Sequence, residues 1–226
     1  MYIDPYYIML VVPAIILAMA AQARVSSTFS KYSKVFSRRG ITGAEVAERI
    51  LMLHGISDVR IEHVSGNLTD HFDPRTNVIR LSDNVHGSSS VAAIGVAAHE
   101  TGHAVQHHMG YVPIKIRNLF VPVANLGSYL AFPLVILGLI MSFDPLVNIG
   151  ILLFSAVVLF QLVTLPVEFN ASRRAVAVLE DQNLLDLEEV KGAKKVLSAA
   201  AMTYVAAAAV AIANLLRLVF LSRRND

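Results

Sequence analysis

The sequence predicts a mainly α membrane protein: about four transmembrane helices with a small cytoplasmic α+β unit, a short hairpin plus an H-E-x-x-H helix. Three observations carry that prediction. Residues 5–23, 118–143, 145–167 and 196–216 form charge-free windows of 19, 26, 23 and 21 residues, and a helix needs about 20 mainly apolar residues to span the hydrocarbon layer. The chain is 55% hydrophobic and 16% charged, against roughly 25% charged residues in an ordinary soluble domain. The polar stretch 24–117 is too long for a simple loop, and its hydrophobic period changes along its length. A buried core helix accounts for one such apolar window but poorly for four, which together make 89 of the 226 residues.

The first window resembles a signal peptide at its end, where Ala21-Gln22-Ala23 could be cleaved. Its beginning carries Asp4 and no Lys or Arg, the reverse of a signal peptide's basic start, so it reads as a retained anchor. Arg24, Lys31, Lys34, Arg38 and Arg39 follow it; Lys115 and Arg117 precede the second window; Arg173, Arg174, Lys191, Lys194 and Lys195 separate the third from the fourth. Cytoplasmic flanks are enriched in Lys and Arg, which puts Met1 outside and 24–117 and 168–195 inside. Arg217, Arg223 and Arg224 then fall outside, in mild conflict with the same rule, so the last window crosses or lies deep in the bundle. The expected layout is a transmembrane anchor at 1–23, a cytoplasmic unit at 24–117, a transmembrane pair at 118–167, a cytoplasmic helix at 168–195, and a last transmembrane helix and tail at 196–226.

Within 24–117, Thr42 and Glu45 have the spacing of a capping box, opening a helix through Leu53 that Gly55 ends. Val59, Ile61 and His63 then alternate with polar neighbours, and 77–82 reads as a second strand after the turn residues Asp73-Pro74-Arg75-Thr76, which makes the pair a hairpin candidate. Ser88 to Ser90 can cap a further helix from about Val91 to His108, stopped by Gly110 and Pro113. The net charge of +2 points to no nucleic-acid partner, and with no cysteine there is no disulfide, thiolate metal site or cysteine nucleophile.

The last of these helices carries His99-Glu100-Thr101-Gly102-His103. Histidines four apart stand one turn above each other, so both imidazoles can reach one cation, with Glu100 beside them to take a proton from water. The pattern fits zinc hydrolysis. Glu100 would otherwise be an unexplained charge in a small, apolar stripe. His107 continues the stripe too far along for a ligand and reads as a neighbour or interface residue; His54, His63, His71, His86 and His108 read as ordinary polar residues. A catalytic zinc needs a third protein ligand, a His or a carboxylate, and one open position. Glu168 stands out, because a carboxylate at the edge of a membrane helix is costly unless paired, hydrated or metal-bound. Glu180, Asp181, Asp186, Glu188 and Glu189 read as a solvated helix face.

These residues resemble a known family. His99 to His103 with Glu168-Phe169-Asn170-Ala171-Ser172, set between apolar helices, look like the membrane-bound zinc metallopeptidases of bacteria often called neutral zinc metallopeptidases. Leu68 to Arg75 and Leu165 to Ala175 add to the likeness, which extends over nearly the whole chain. More distantly the chain is similar to the CAAX prenyl protease and heat-shock membrane protease group. There the first Glu of Glu-x-x-x-Asp is the third zinc ligand, a role that maps onto Glu168; the Asp of that pattern is Ser172 here, so some other group must orient the zinc histidine. The resemblance implies one Zn2+ per chain, held by His99, His103 and Glu168, with Glu100 as catalytic base. It implies a membrane-anchored endopeptidase of the bacterial cytoplasmic membrane, cutting membrane or membrane-proximal polypeptides at the cytoplasmic face. Tyr204, His86 and Arg174 are candidate oxyanion stabilisers. The strand 77–82 is a candidate edge for substrate addition, in which case Ile79→Pro would cripple cleavage with zinc retained. The alternative is a non-proteolytic zinc-binding sensor or transporter, which calls for ionisable residues inside the bundle; the four windows contain none. An inactive scaffold is disfavoured by the intact motif with Glu100, and a site within the bilayer by the motif's place outside the windows.

Overall fold

The computed structural model describes residues 4–223; the expected position of Met1 and the charge of Arg224 lie outside them. The chain divides into two compact units: Met1–Gln22, Lys115–Pro166 and Met202–Asp226 form one, Ala23–Ile114 and Val167–Ala201 the other.

Long helices build the first unit. They are parts of α1 (Val12–Tyr32), entered through a π-helical turn Tyr7–Val11, and of α4 (Val112–Ile140), α5 (Asp144–Asp181) and α6 (Leu187–Arg223); α2 (Gly43–Leu53) and α3 (Val91–His108) belong to the other unit. Among the described residues these four are long and apolar enough to cross a membrane. Each helix runs beyond its charge-free window, because a charge ends the apolar surface and not the backbone hydrogen bonding. Glycines let α4 and α5 approach closely: a Cβ at Gly127 would meet the Leu153 carbonyl oxygen at 2.5 Å, and one at Gly150 the Ala131 oxygen at 2.8 Å. Small residues are the usual device for tight packing where lipid removes the hydrophobic drive between helices. Ala131, Val135, Val147 and Phe154 fill that contact. The misfit charge just after the fourth window is offset locally, since Arg217 Nε donates to Asp4 Oδ2 at 2.7 Å and the guanidinium lies 5.0 Å from the Tyr7 ring centre. A paired cation at the end of an apolar helix is far less costly than a lone one.

The second unit packs α2 (Gly43–Leu53), a three-stranded sheet and α3 (Val91–His108) with the polar ends of α5 and α6. The capping box of α2 is formed: the Glu45 N–H donates to Thr42 Oγ1 at 3.3 Å and the Thr42 N–H to Glu45 Oε2 at 2.8 Å. Ser90 caps α3 by accepting from the Ala93 N–H at 3.2 Å. Val46, Ile50, Ile79, Leu81, Ile94 and Leu179 are the heart of the core.

The sheet corrects the expected hairpin. Its strands are β1 (Arg60–Val64), β2 (His71–Asp73) and β3 (Val78–Ser82), in the order β1-β3-β2. β1 and β3 are parallel, and the hairpin is made instead by β2 and β3, antiparallel with Phe72 opposite Ile79. Its turn is set by Asp73, which accepts from the Arg75 N–H at 2.9 Å and the Thr76 hydroxyl at 2.8 Å, and by Asn77 at φ 52. β3 is therefore central and cannot add a peptide at its side. Ile79→Pro would break the middle of the sheet, so it does not test substrate binding. The outer strand that lies against α3 is β2.

Candidate active site

α3 presents His99 and His103 one turn apart, with ring centres 4.7 Å from each other. The polar end of α5 brings Glu168 to both: its Oε2 lies 3.3 Å from His99 Nε2 and 3.5 Å from His103 Nε2. The three side chains are 12%, 9% and 3% exposed, burial deep enough to exclude bulk water from most of their surface. The helices can come this close because residue 102 is glycine; a Cβ there would stand 3.0 Å from the Ala171 carbonyl oxygen. Thr101, the other variable position of the motif, turns its hydroxyl back onto the Ala97 carbonyl at 2.7 Å.

The outward ring nitrogens are fixed by neighbours. Gln106 is fully buried, and its Nε2 donates to the Val167 carbonyl at 2.8 Å and to Asn170 Oδ1 at 2.9 Å. Both partners are acceptors, so the Gln106 atom facing His103 is Oε1, at 3.0 Å from Nδ1. That oxygen can only accept, which makes His103 Nδ1 the donor and leaves the Nε2 lone pair directed at Glu168. Arg174 Nε donates to the same Asn170 oxygen at 2.8 Å, which keeps the amide in this orientation. On the other ring, Ser172 Oγ stands 3.1 Å from His99 Nδ1. The residue that departs from the distant group's Asp thus makes the orienting contact itself, with a hydroxyl in place of a carboxylate.

Glu100 points to the same region and accepts the Phe72 N–H on Oε2 at 3.2 Å. Burial pushes its carboxyl above the usual carboxylate range, against the opposing charges of His99 and His103. Burial lowers the basicity of His103, but the hydrogen bond and charge of Glu168 outweigh it and raise the imidazole above its ordinary value. A metal ion binds the neutral ring, so uptake at this site releases protons when the rings are charged.

The donor set fits zinc. Four-coordinate zinc takes His nitrogen and carboxylate oxygen at about 2.0–2.2 Å, which places neighbouring ligand atoms roughly 3.3–3.6 Å apart in a tetrahedron. The two nitrogen–oxygen separations, 3.3 and 3.5 Å, fall in that range, and the ligand atoms of all three residues lie within 4.8 Å of one another. Among the described residues His99, His103 and Glu168 are the group that could hold a metal.

The other predicted residues are placed elsewhere. His107 packs on the Phe72 ring at 5.8 Å. His54 binds the Ile50 carbonyl, His71 the Thr69 carbonyl, and His63 contacts Asp83 at 2.6 Å with His86 edge-on to it. Arg174 reaches Asn170 and the Met109 sulfur. Glu189 corrects the reading of 180–189 as a solvated face: it is buried and accepts the Arg38 and Asp186 N–H groups, each at 2.9 Å. Sequence reasoning missed Gln106 and Asn170. Gln106 had a signal, being three residues after His103 and seven after His99 on one helix stripe.

Gln106→Leu keeps the volume but removes the acceptor for His103. Zinc affinity is expected to fall by about 10- to 100-fold, the usual cost of losing a ligand's hydrogen-bond partner, read by competition with a chelating dye. Affinity equal to wild type would show that the amide does not set the ring.

A family described as "Putative neutral zinc metallopeptidase" matches residues 7–223. A relative from Bacillus subtilis (strain 168), named "Putative membrane protease YugP", is 47% identical over 222 residues, covering 97% of this chain and 99% of its own length. No solved structure matches. Match and geometry agree on the same chemistry: the chain belongs to the neutral zinc metallopeptidase family, and its cofactor is Zn2+.

Proposed function

We propose that the chain is an endopeptidase of the H-E-x-x-H plus Glu type that cuts membrane or membrane-proximal polypeptides at the cytoplasmic face. The observation that carries this reading is the convergence of two imidazole Nε2 atoms on one buried carboxylate, with Glu100 alongside. His99, His103 and Glu168 hold the ion, and Gln106 and Ser172 keep the two rings turned toward it. Zinc, when bound, supplies a Lewis acid that brings the pKa of a water toward neutrality and polarises a carbonyl. Glu100 takes a proton from the attacking water and passes it to the leaving amine nitrogen, so one carboxylate makes both transfers that amide hydrolysis needs. Burial holds its carboxyl above the usual carboxylate range, which makes it a stronger base for the first transfer.

In this reading 1–23 is a transmembrane anchor, 24–117 the cytoplasmic metalloprotease unit, 118–167 a transmembrane pair, 168–195 the helix carrying the third ligand, and 196–226 the last transmembrane helix with its tail. The basic residues around 24–39 and 191–195 support a cytoplasmic position for the site.

The chain lacks cysteine, so single cysteines report topology cleanly. Leu68, 46% exposed, replaced as Leu68→Cys should resist a membrane-impermeant maleimide in intact cells and react after lysis. Reaction in intact cells would place the site on the other face. Endopeptidase action is read by mass spectrometry of the products of a membrane-protein substrate in nanodiscs; fragments that end only at a terminus would refute it.

A further inference from the structure

β2 is three residues long, paired on one side only, and lies against the metal helix. In an antiparallel ladder, successive residues turn their N–H and C=O alternately toward the partner strand and away from it. Phe72 sits between His71 opposite Arg80 and Asp73 opposite Val78. Its N–H goes to Glu100 Oε2 at 3.2 Å, so Phe72 is the β2 residue whose amide faces away from β3. Among the described residues this is the hydrogen bond that Glu100 receives.

A glutamate on a helix reaches its target through rotatable bonds, and fixing such a side chain costs entropy unless something holds it. Here the holder is rigid. Phe72 packs against the core of the second unit and against the His107 ring, 5.8 Å away, and the neighbouring Asp73 is tied into the turn by Arg75 and Thr76.

We propose that the backbone N–H of Phe72 is a positioning group for Glu100, holding Oε2 so that Oε1 is presented to the water. The proposal rests on the reading of Glu100 as the base. It gives the sheet a task in the reaction, which is to carry one amide donor to the side of the metal helix. Substitution of residue 72 by another apolar residue keeps the N–H itself and alters only the packing around it.

The test replaces Phe72 by its α-hydroxy acid, phenyllactic acid, through nonsense suppression, which turns the amide into an ester and deletes the N–H alone. The full chain is assayed in nanodiscs with zinc content measured in parallel. Zinc stays bound, kcat for an internally quenched peptide falls by about 10- to 100-fold, the worth of a hydrogen bond to a charged group, and KM stays within about two-fold. Phe72→Leu, which keeps the N–H and trims only the packing, loses clearly less in kcat than the ester does. In a Glu100→Asp background, whose shorter side chain loses the contact, the ester has an effect of about two-fold or less, as a double-mutant cycle requires for two groups that act together.

An ester enzyme as fast as wild type, with Glu100→Gln inactive, overturns the placement by Phe72 while leaving the base assignment intact. A fully active Glu100→Gln overturns both. An ester effect of equal size in the wild-type and Glu100→Asp backgrounds, or a Phe72→Leu loss as large as the ester's, shows a structural weakening and also overturns the proposal.

Discussion

Glu100→Gln is expected to fold, bind zinc as wild type does, and lose about 10²- to 10⁴-fold in kcat, the range that a positioned general acid–base group contributes. The substitution is close to isosteric, and a Gln oxygen can still accept the Phe72 N–H that Glu100 accepts at 3.2 Å. What it cannot do is take a proton from water. His99, His103 and Glu168 keep their mutual distances, so zinc content separates loss of base from loss of metal. The measurement pairs single-turnover cleavage in nanodiscs with elemental analysis of the same sample. A variant that cleaves as fast as wild type would remove Glu100 from the reaction.

Glu168→Gln should act one step earlier, on the metal itself. The carboxylate supplies the negative charge of the ligand set, and its Oε2 faces both imidazoles at 3.3 and 3.5 Å from a position only 3% exposed. An amide oxygen is a weaker, neutral ligand, and the buried site offers little water to take its place. Zinc affinity should therefore fall by more than the roughly 10- to 100-fold that follows loss of a ligand's hydrogen-bond partner, and turnover should vanish with it. A ligand that binds only the native state raises the melting temperature with concentration. Wild type should show that rise on adding zinc, and Glu168→Gln should lose it. An undiminished zinc-dependent rise in the variant would exclude this carboxylate from the ligand set.

Much of this molecule was readable because the relevant physics is local. Charge-free windows announce membrane helices, since each ionised side chain in hydrocarbon carries its own penalty. The Thr42–Glu45 box and the His99–His103 pair depend on spacings of three and four residues. What escaped depends on partners distant in sequence. β2 has three residues, two of them polar, too few for an alternating pattern to register. The parallel pairing of β1 with β3 arises because β2 takes the far side of β3 and leaves its other side to β1, which no local signal records. Gln106 gains its meaning from Val167 and Asn170, more than sixty residues away. Ser172 looked like the loss of an orienting group because family logic expected a carboxylate; the hydroxyl at 3.1 Å meets the same geometric need with a different atom.

The ion pair of Asp4 with Arg217 joins positions 213 residues apart. During synthesis the aspartate is made long before its cation, so this clasp closes only after the stretch of chain that carries Arg217 has been translated. Until then Asp4 lacks this partner, and a chain cut short before residue 217 never acquires the latch.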